Sequence, residues 1–357
     1  MSQSCWAVIN LSALQHNLYQ IKCIAPHSRI LAMIKGNAYG HGIVHVAKAL
    51  QAADAFGLAR FSEALKLREA GIRNRLVMME GFTHYEQLQL IDTHALELVI
   101  HDLTQIQPLL DYPWQSPVKL WLKVDTGMGR LGMLPDAAQI AWERLAGASQ
   151  WLIPEVSLTH FAQAQWLDDH KTAAQIALFN KVCGNWSIAK SLANSAGILQ
   201  WPNSHADWVR PGIILYGVSP FESQIGSNFN FKPAMTLQTI LIAVRQLRAG
   251  DTVGYDSTYQ CPHAMRIGIA AIGYADGYPA RIPHGTPVLV NGIRTTILGR
   301  VSMDMIAVDL NHLQAHVGDT VTLWGEGLPI EIIAQHTQLS AYALLAGITE
   351  RVLYRVV

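Results

Sequence analysis

The chain has 357 residues, half of them hydrophobic, enough to build two domains or one large barrel with a smaller companion. Its 26 Lys plus Arg balance 26 Asp plus Glu, so the formal net charge is zero. No phosphate-tracking basic face follows from such a balance, which argues against nucleic acid as a partner. Four cysteines, at 5, 23, 183 and 261, form no CxxC pair and no Cys/His cluster at metal spacing, so free thiols in a reducing compartment and no metal centre are expected. The N-terminal "MSQSCWAVIN" has no basic segment followed by an apolar one, and no apolar run approaches the ~20 residues that span a bilayer. The expectation is a soluble, cytoplasmic protein with no membrane partner.

In chain order, Ser12 is a candidate N-cap for the helical stretch "ALQHNLYQIKCIA", which stops near Pro26. Eight short apolar runs then recur: "RILAMIK" (29–35), "AFGLA" (55–59), "RLVMME" (75–80), "LELVI" (96–100), "VKLWLKVD" (118–125), "PEVSLTH" (154–160), "KSLAN" (190–194) and "GIILYG" (212–217). Most are separated by stretches of helical period such as "FSEALKLREAG" and "DAAQIAWERLAG". Strands alternating with helices imply parallel βα units. Eight such units predict an α/β fold, a (β/α)8 TIM barrel, with a doubly wound open sheet as the alternative. The pattern changes near residue 225. Beyond "SPFESQIGSNFNFKPAM" come "LQTILIAVRQL", "RIGIAAIG", "TPVLVNGIRTTILG", "IAVDL" and "DTVTLWG", punctuated by Gly, Pro and Asn. We therefore expect a barrel domain over 1–230 and a mostly-β C-terminal domain over 231–357.

In a barrel, the C-terminal strand ends face the active site. Those ends carry Lys35; Lys123, Asp125 and Arg130 of "KVDTGMGRLG"; His160 of "THFA"; Asn194 and Ser195 of "NSAG"; and Arg210 of "RPG", placed just before strand eight. A lysine among cations in an apolar mouth has its pKa lowered, which suits Schiff-base chemistry with an aldehyde. Pyridoxal phosphate accounts for the remainder, since the turns after strand seven and at strand eight are where barrels place a phosphate. Read singly, each signal has a plainer explanation: a solvated rim lysine, an ordinary turn in "GNAYGHG", a glycine-shaped loop in "TGMGRLG".

Taken together and in order, "AMIKGNAYGHG", "KVDTGMGRLG", "THFA", "NSAG", "RPGI", "VGYDSTY", "GYADGY" and "GRVSMD" resemble the alanine racemases over the whole chain. The resemblance implies a pyridoxal 5'-phosphate enzyme of the fold-type III class, a barrel followed by a β domain, acting on alanine as a head-to-tail homodimer with shared active sites. It implies Lys35 as the lysine that holds the cofactor and as the catalytic base for D-alanine. Tyr255 is implied as the second base, serving L-alanine from the partner subunit. Tyr39, Ser195 and the backbone N–H groups of Gly212 and Ile213 resemble the phosphate site, beside Asn194 of the same "NSAG" motif. Arg210 resembles the arginine facing the pyridine nitrogen, with His160 hydrogen-bonded behind it. Arg130 and the backbone of Met303 resemble the groups that receive the substrate carboxylate, and Lys123 matches a lysine carbamylated in some members. Tyr274, Arg281 and Arg300 match a substrate corridor as well as they match ordinary interface residues, while Tyr216 and Trp324 are expected in packing.

Two bases on opposite faces suit racemisation, because a proton must leave one face of Cα and return to the other. A tyrosine, with an ordinary pKa of about 10, needs positive charge nearby to serve as base near neutrality. His160 and Arg210 are expected to supply it. The sequence departs from the family at Glu350, where a phosphate-contacting tyrosine is common, and at Ser302, where some members have cysteine. At Glu350 the expectation is that the carboxylate points away or that Tyr354 or a water takes the tyrosine's place. A decarboxylase of the same plan would put an acid rather than Arg210 at the pyridine nitrogen. A non-catalytic pyridoxal-phosphate carrier would need neither Tyr255 nor Met303.

Overall fold

The computed structural model describes residues 4–167 and 170–357. These residues form two compact units, one of residues 18–38, 46–167 and 170–215, the other of residues 4–17, 39–45 and 216–357. Chain order does not separate them. The first strand, β1 (Cys5–Ile9), belongs to the second unit, as does the short piece that follows Ala38.

The first unit is a closed barrel of eight parallel strands: β2 (Arg29–Met33), β3 (Ala55–Leu58), β4 (Arg75–Met78), β5 (Leu96–Ile100), β6 (Val118–Lys123), β7 (Leu152–Leu158), β8 (Ala189–Ser191) and β9 (Trp208–Val209). Closure runs through β2 and β9, with Ile30 opposite Val209. The eighth strand is therefore not "GIILYG". That segment forms a short 3-10 turn over Ile213–Tyr216, and the strand is the dipeptide before it. The error has a local cause: "IILY" is buried and apolar like a strand, but Pro211 and Gly212 break the run after Val209. The correction moves Arg210 from ahead of the last strand to its C-terminal end, on the same rim as the other candidates.

The opposite end of the barrel is packed and paired. Trp121 and Trp208 meet edge to face at 5.1 Å, and the guanidinium groups of Arg29 and Arg75 lie 4.5 and 5.0 Å from the Trp208 ring. Arg75 also donates to Glu97 (2.9 Å) and Glu155 (2.7 Å), and the Trp121 indole donates to Glu97 (2.8 Å). Each buried charge there has a partner of opposite sign, as a structural barrel floor requires.

The second unit is built on β1, β10 (Met235–Leu247), the small pair β11 (Thr252–Val253) and β12 (Tyr259–Gln260), β13 (Met265–Ala270), β14 (Pro287–Val290), β15 (Ile293–Leu298), β16 (Ile306–Asp309), β17 (Thr320–Trp324) and β18 (Leu353–Val356). The main sheet runs β13-β16-β15-β14-β17-β10-β1-β18 and closes on itself because the long β10 pairs with both β17 and β13. A register shift between Leu241 and Ala243 lets one strand serve both neighbours. Tyr216 and Trp324 are buried, consistent with packing roles. No helix among the described residues is long and apolar enough to cross a membrane.

Candidate functional site

Six of the candidate side chains sit at the C-terminal ends of barrel strands or in the segments that follow. Lys35 follows β2, Lys123 ends β6, Arg130 lies in the loop after it, His160 follows β7, Ser195 follows β8 and Arg210 follows β9. Unlike the barrel floor, this rim gathers cations. The Lys35 pKa is lowered, first by burial and then by Arg130, against a weaker upward pull from Glu80 and Glu63. Lys123 is pushed down to about 8 by burial, Arg130, Arg210 and Lys35, with Asp125 opposing. Burial and the same four cations hold His160 well below the usual imidazole range. His160 is therefore neutral at physiological pH. It does not supply the positive charge expected of it, and Arg210 remains as the cation.

Arg210 is fixed by its surroundings. Its backbone N–H donates to Ala193 O (2.9 Å), Nη1 donates to the Ser191 hydroxyl (2.6 Å), and Nη2 donates to Leu192 O (3.0 Å) and to Thr159 O. A guanidinium has five N–H donors, so these three side-chain bonds engage three of them. Loss of water from this fully buried group lowers its pKa to about 9, which still leaves it a cation at neutral pH, and its buried N–H groups are bonded to three acceptors. His160 is held through its backbone, with Gln175 Nε2 donating to His160 O (3.0 Å) and to Thr126 Oγ1 (3.2 Å). Gln175 carried no signal in the sequence, being one polar residue in an amphipathic helix.

After β8, Asn194 caps the helix Ser195–Gln200, its Oδ1 accepting from Gly197 N at 2.9 Å. Ser195 Oγ accepts from Gly212 N, also at 2.9 Å, which ties the segment after strand seven to the segment after strand eight. Backbone N–H groups and a hydroxyl thus converge where barrels commonly bind phosphate.

The turn after Lys35 is left-handed. Gly36, Asn37, Ala38, Tyr39 and Gly40 have φ of 64, 53, 56, 51 and 78°. For L-residues this region costs about 1–2 kcal/mol each, so the surroundings must impose it. Glu63 does part of this in the barrel unit: its carboxylate accepts from Asn37 N (3.1 Å) as well as from Ala59 N and Arg60 N. In the second unit, the Tyr39 ring stacks on Tyr216 at 4.8 Å. Burial drives the Tyr39 phenol upward, so it is neutral and can donate.

The remaining candidates lie on the second unit. Tyr255 is 65% exposed and Met303 51% exposed. Tyr255 opens a turn in which Asp256 has φ 58° and pairs with Arg300. Tyr274 N and Ala275 N donate to Ser302 O (3.1 Å) and Met303 O (3.0 Å), so the two loops travel together. Glu350 is exposed, and the Tyr354 hydroxyl donates to Gly40 O at 2.8 Å.

Known proteins share this plan. The alanine racemase N-terminal domain family matches residues 9–220 and the alanine racemase C-terminal domain family matches residues 234–356. An alanine racemase of Pectobacterium atrosepticum is 47% identical over 346 residues, covering 97% of this chain and 96% of the relative. The biosynthetic alanine racemase of Escherichia coli O6:H1 is 46% identical over 352 residues, 98% of each chain. The crystal structure of the biosynthetic alanine racemase from Pseudomonas aeruginosa superimposes with a TM-score of 0.95 at 39% identity over the full length of both chains. Near-complete coverage by both domain families, with relatives approaching half identity from end to end, places this chain in the alanine racemase family.

Proposed function

We propose that this protein is a cytoplasmic alanine racemase that interconverts L- and D-alanine with bound pyridoxal 5'-phosphate, supplying or consuming D-alanine for peptidoglycan. The observation that carries the reading is Lys35: a half-buried amine at the end of the first barrel strand, its pKa lowered by burial and by Arg130. Such an amine is free to react at neutral pH more often than an ordinary lysine. The donor set suits the cofactor. Cations crowd the rim, a neutral phenol and the Ser195 hydroxyl, whose oxygen accepts from Gly212 N, can each donate to a phosphate, and Arg210 has two N–H donors beyond its bonds to Ser191, Leu192 and Thr159.

Bound pyridoxal phosphate supplies an aldehyde and a conjugated ring that accepts the electron pair left when the Cα proton departs. The chain's own residues do the rest. Lys35 holds the cofactor and moves a proton at Cα on the D-alanine side. Tyr255, contributed by a second copy of the chain, moves a proton on the opposite face. Tyr39, Asn194, Ser195, Gly212 and Ile213 form the phosphate grip. Arg210 donates toward the pyridine nitrogen and, because a guanidinium does not give up its proton, leaves that nitrogen unprotonated. His160 stands beside it as a neutral ring. Arg130 and the Met303 backbone receive the substrate carboxylate. The exposure of Tyr255, Met303 and Tyr274 on the second unit supports a homodimer in which each site borrows them. Lys123, with a pKa near 8 among cations, is suited to take up carbon dioxide. Its Nζ–C bond would form, a proton would leave to solvent, and the carbamate would hold Arg130.

The test is incubation of the purified protein and pyridoxal phosphate with L-alanine in deuterated water. D-alanine carrying Cα deuterium is the expected product, and Lys35→Ala should abolish both the product and the visible absorbance of the lysine-bound cofactor. Unlabelled L-alanine alone from the wild-type protein would overturn the reading.

A further inference from the structure

The left-handed run from Gly36 to Gly40 ends in a clamp that belongs wholly to the second unit. The helix Ala341–Ala346 closes it on one side: a Cβ on Gly40 would lie 2.0 Å from Leu345 O, so only glycine permits this approach. On the other side stands Tyr354, in strand β18, paired with Ala7 of β1. Its hydroxyl donates to Gly40 O at 2.8 Å, and its ring lies 3.5 Å from where a Gly42 Cβ would be. His41 completes the arrangement. Its side chain is fully buried, Nδ1 is 2.9 Å from Tyr39 O, and the ring packs 4.5 Å from Tyr216. The same Tyr216 stacks on Tyr39, and Tyr342 lies 6.0 Å from Tyr39 on the same helix as Leu345. Backbone on both sides of Tyr39 is therefore held by side chains from distant parts of the sequence.

We propose that Tyr354 is a positioning residue for Tyr39: through Gly40 O it fixes the last turn of the left-handed run and so sets the Tyr39 phenol for the cofactor's phosphate. This rests on the reading of Tyr39 as a phosphate ligand. It answers the departure at Glu350 differently from the alternatives raised by the sequence. Tyr354 does not replace a phosphate-contacting tyrosine; it stabilises the one that is already present.

The effect is confined to the phosphate end for a physical reason. Lys35 follows directly on β2, where Met33 N donates to Pro211 O (2.9 Å) and Ile34 N donates to Gly57 O (3.1 Å). Those bonds lie upstream of the left-handed run and do not depend on Gly40. Loosening Gly40 moves Tyr39 and leaves the amine in place.

The experiment titrates the apo form of the full-length protein with pyridoxal phosphate and, separately, with pyridoxal, which has the aldehyde and lacks the phosphate. The wild-type chain, Tyr354→Phe, Tyr39→Phe and the double variant are compared by the absorbance of the lysine-bound ligand. Tyr354→Phe keeps the ring and is expected to weaken pyridoxal phosphate about five-fold, the loss of one neutral hydrogen bond, while pyridoxal shifts less than about two-fold. In the double variant the loss should be no larger than in Tyr39→Phe alone, because both act through one phenol. Unchanged pyridoxal phosphate affinity in Tyr354→Phe, equal losses for both ligands, or additive losses in the double variant would each overturn the proposal. A wild-type chain that binds neither ligand would instead overturn the cofactor reading on which the proposal stands.

Discussion

Arg210 Nη1 donates to the hydroxyl of Ser191, 2.6 Å away, across the end of the barrel where β8 and β9 meet. That bond, with those to Leu192 O and Thr159 O, turns a buried cation into a fixed part of the rim. A lysine at 210 has one ammonium in place of a planar fork and cannot satisfy three acceptors in these directions. Arg210→Lys should therefore destabilise the apo protein by about 2–4 kcal/mol, since buried acceptors are left unpaired. Urea unfolding compares the two chains. Equal midpoints would mean that water takes over the vacated bonds.

Tyr255→Phe should lower racemisation about 10²–10⁴-fold, the usual worth of a positioned base. L- and D-alanine have equal free energy, so kcat/KM must fall by the same factor in both directions. The asymmetry appears in exchange instead. With Lys35 intact, D-alanine should still exchange its Cα hydrogen with deuterated solvent, without inversion, while L-alanine does not. Exchange of both enantiomers, or of neither, would assign the second base elsewhere.

Lys123 gives a stability prediction with a definite sign. Its folded-state pKa is lowered from 10.5 to about 8. Below about pH 8 both states hold the proton and the penalty of the buried charge is constant. Between about 8 and 10.5 the folded state binds fewer protons than the unfolded chain, so stability rises with pH, by at most about 1.4 kcal/mol per unit. The difference in unfolding free energy between wild type and Lys123→Met, in carbon-dioxide-free buffer at pH 8 and pH 10, should shift in favour of the wild type. A difference that does not change with pH would show that Lys123 titrates as an exposed lysine.

Glu331 tests how the loop after the barrel is held. A single oxygen of this buried carboxylate accepts from Ser219 N and Gly226 N, both at 2.8 Å, and burial raises its pKa. Glu331→Gln keeps an oxygen in place and removes the buried charge, so stability near pH 7 should be equal or slightly higher. Glu331→Ala leaves two buried N–H groups without an acceptor and should cost about 2–5 kcal/mol. Thermal melts of both variants provide the check. Equal destabilisation would mean that the charge, not the acceptor, holds the loop.

Much of this protein was legible from its sequence because the signals are local and periodic. Apolar runs five to eight residues long, alternating with helical stretches, specify parallel βα units wherever the chain folds, and seven of the eight runs contain strands of the closed barrel. Lys35, Lys123, Arg130, His160, Ser195 and Arg210 were readable as a set because a strand's C-terminal end follows from the strand itself. The last strand was misread, since two residues carry no period, and hydrogen bonding to β2 is what makes Trp208–Val209 a strand.

Only the tertiary structure decided the rest. Whether a histidine is charged depends on its burial and on every cation packed around it, and the neutral His160 follows first from burial and then from Arg210, Arg130, Lys123 and Lys35 being gathered from three different βα units. The left-handed run after Lys35 looks like an ordinary glycine turn in one dimension. Ala38 and Tyr39 have no local reason to adopt positive φ; Glu63 in the barrel unit, with Leu345 and Tyr354 in the other, imposes it. Nor does the sequence show that the strand before the barrel joins the β unit, because pairing Ala7 with Leu237 and Tyr354 is a contact over more than two hundred residues. Periodicity determines elements, whereas charge state, backbone strain and strand partnership are sums over neighbours that only the folded chain brings together.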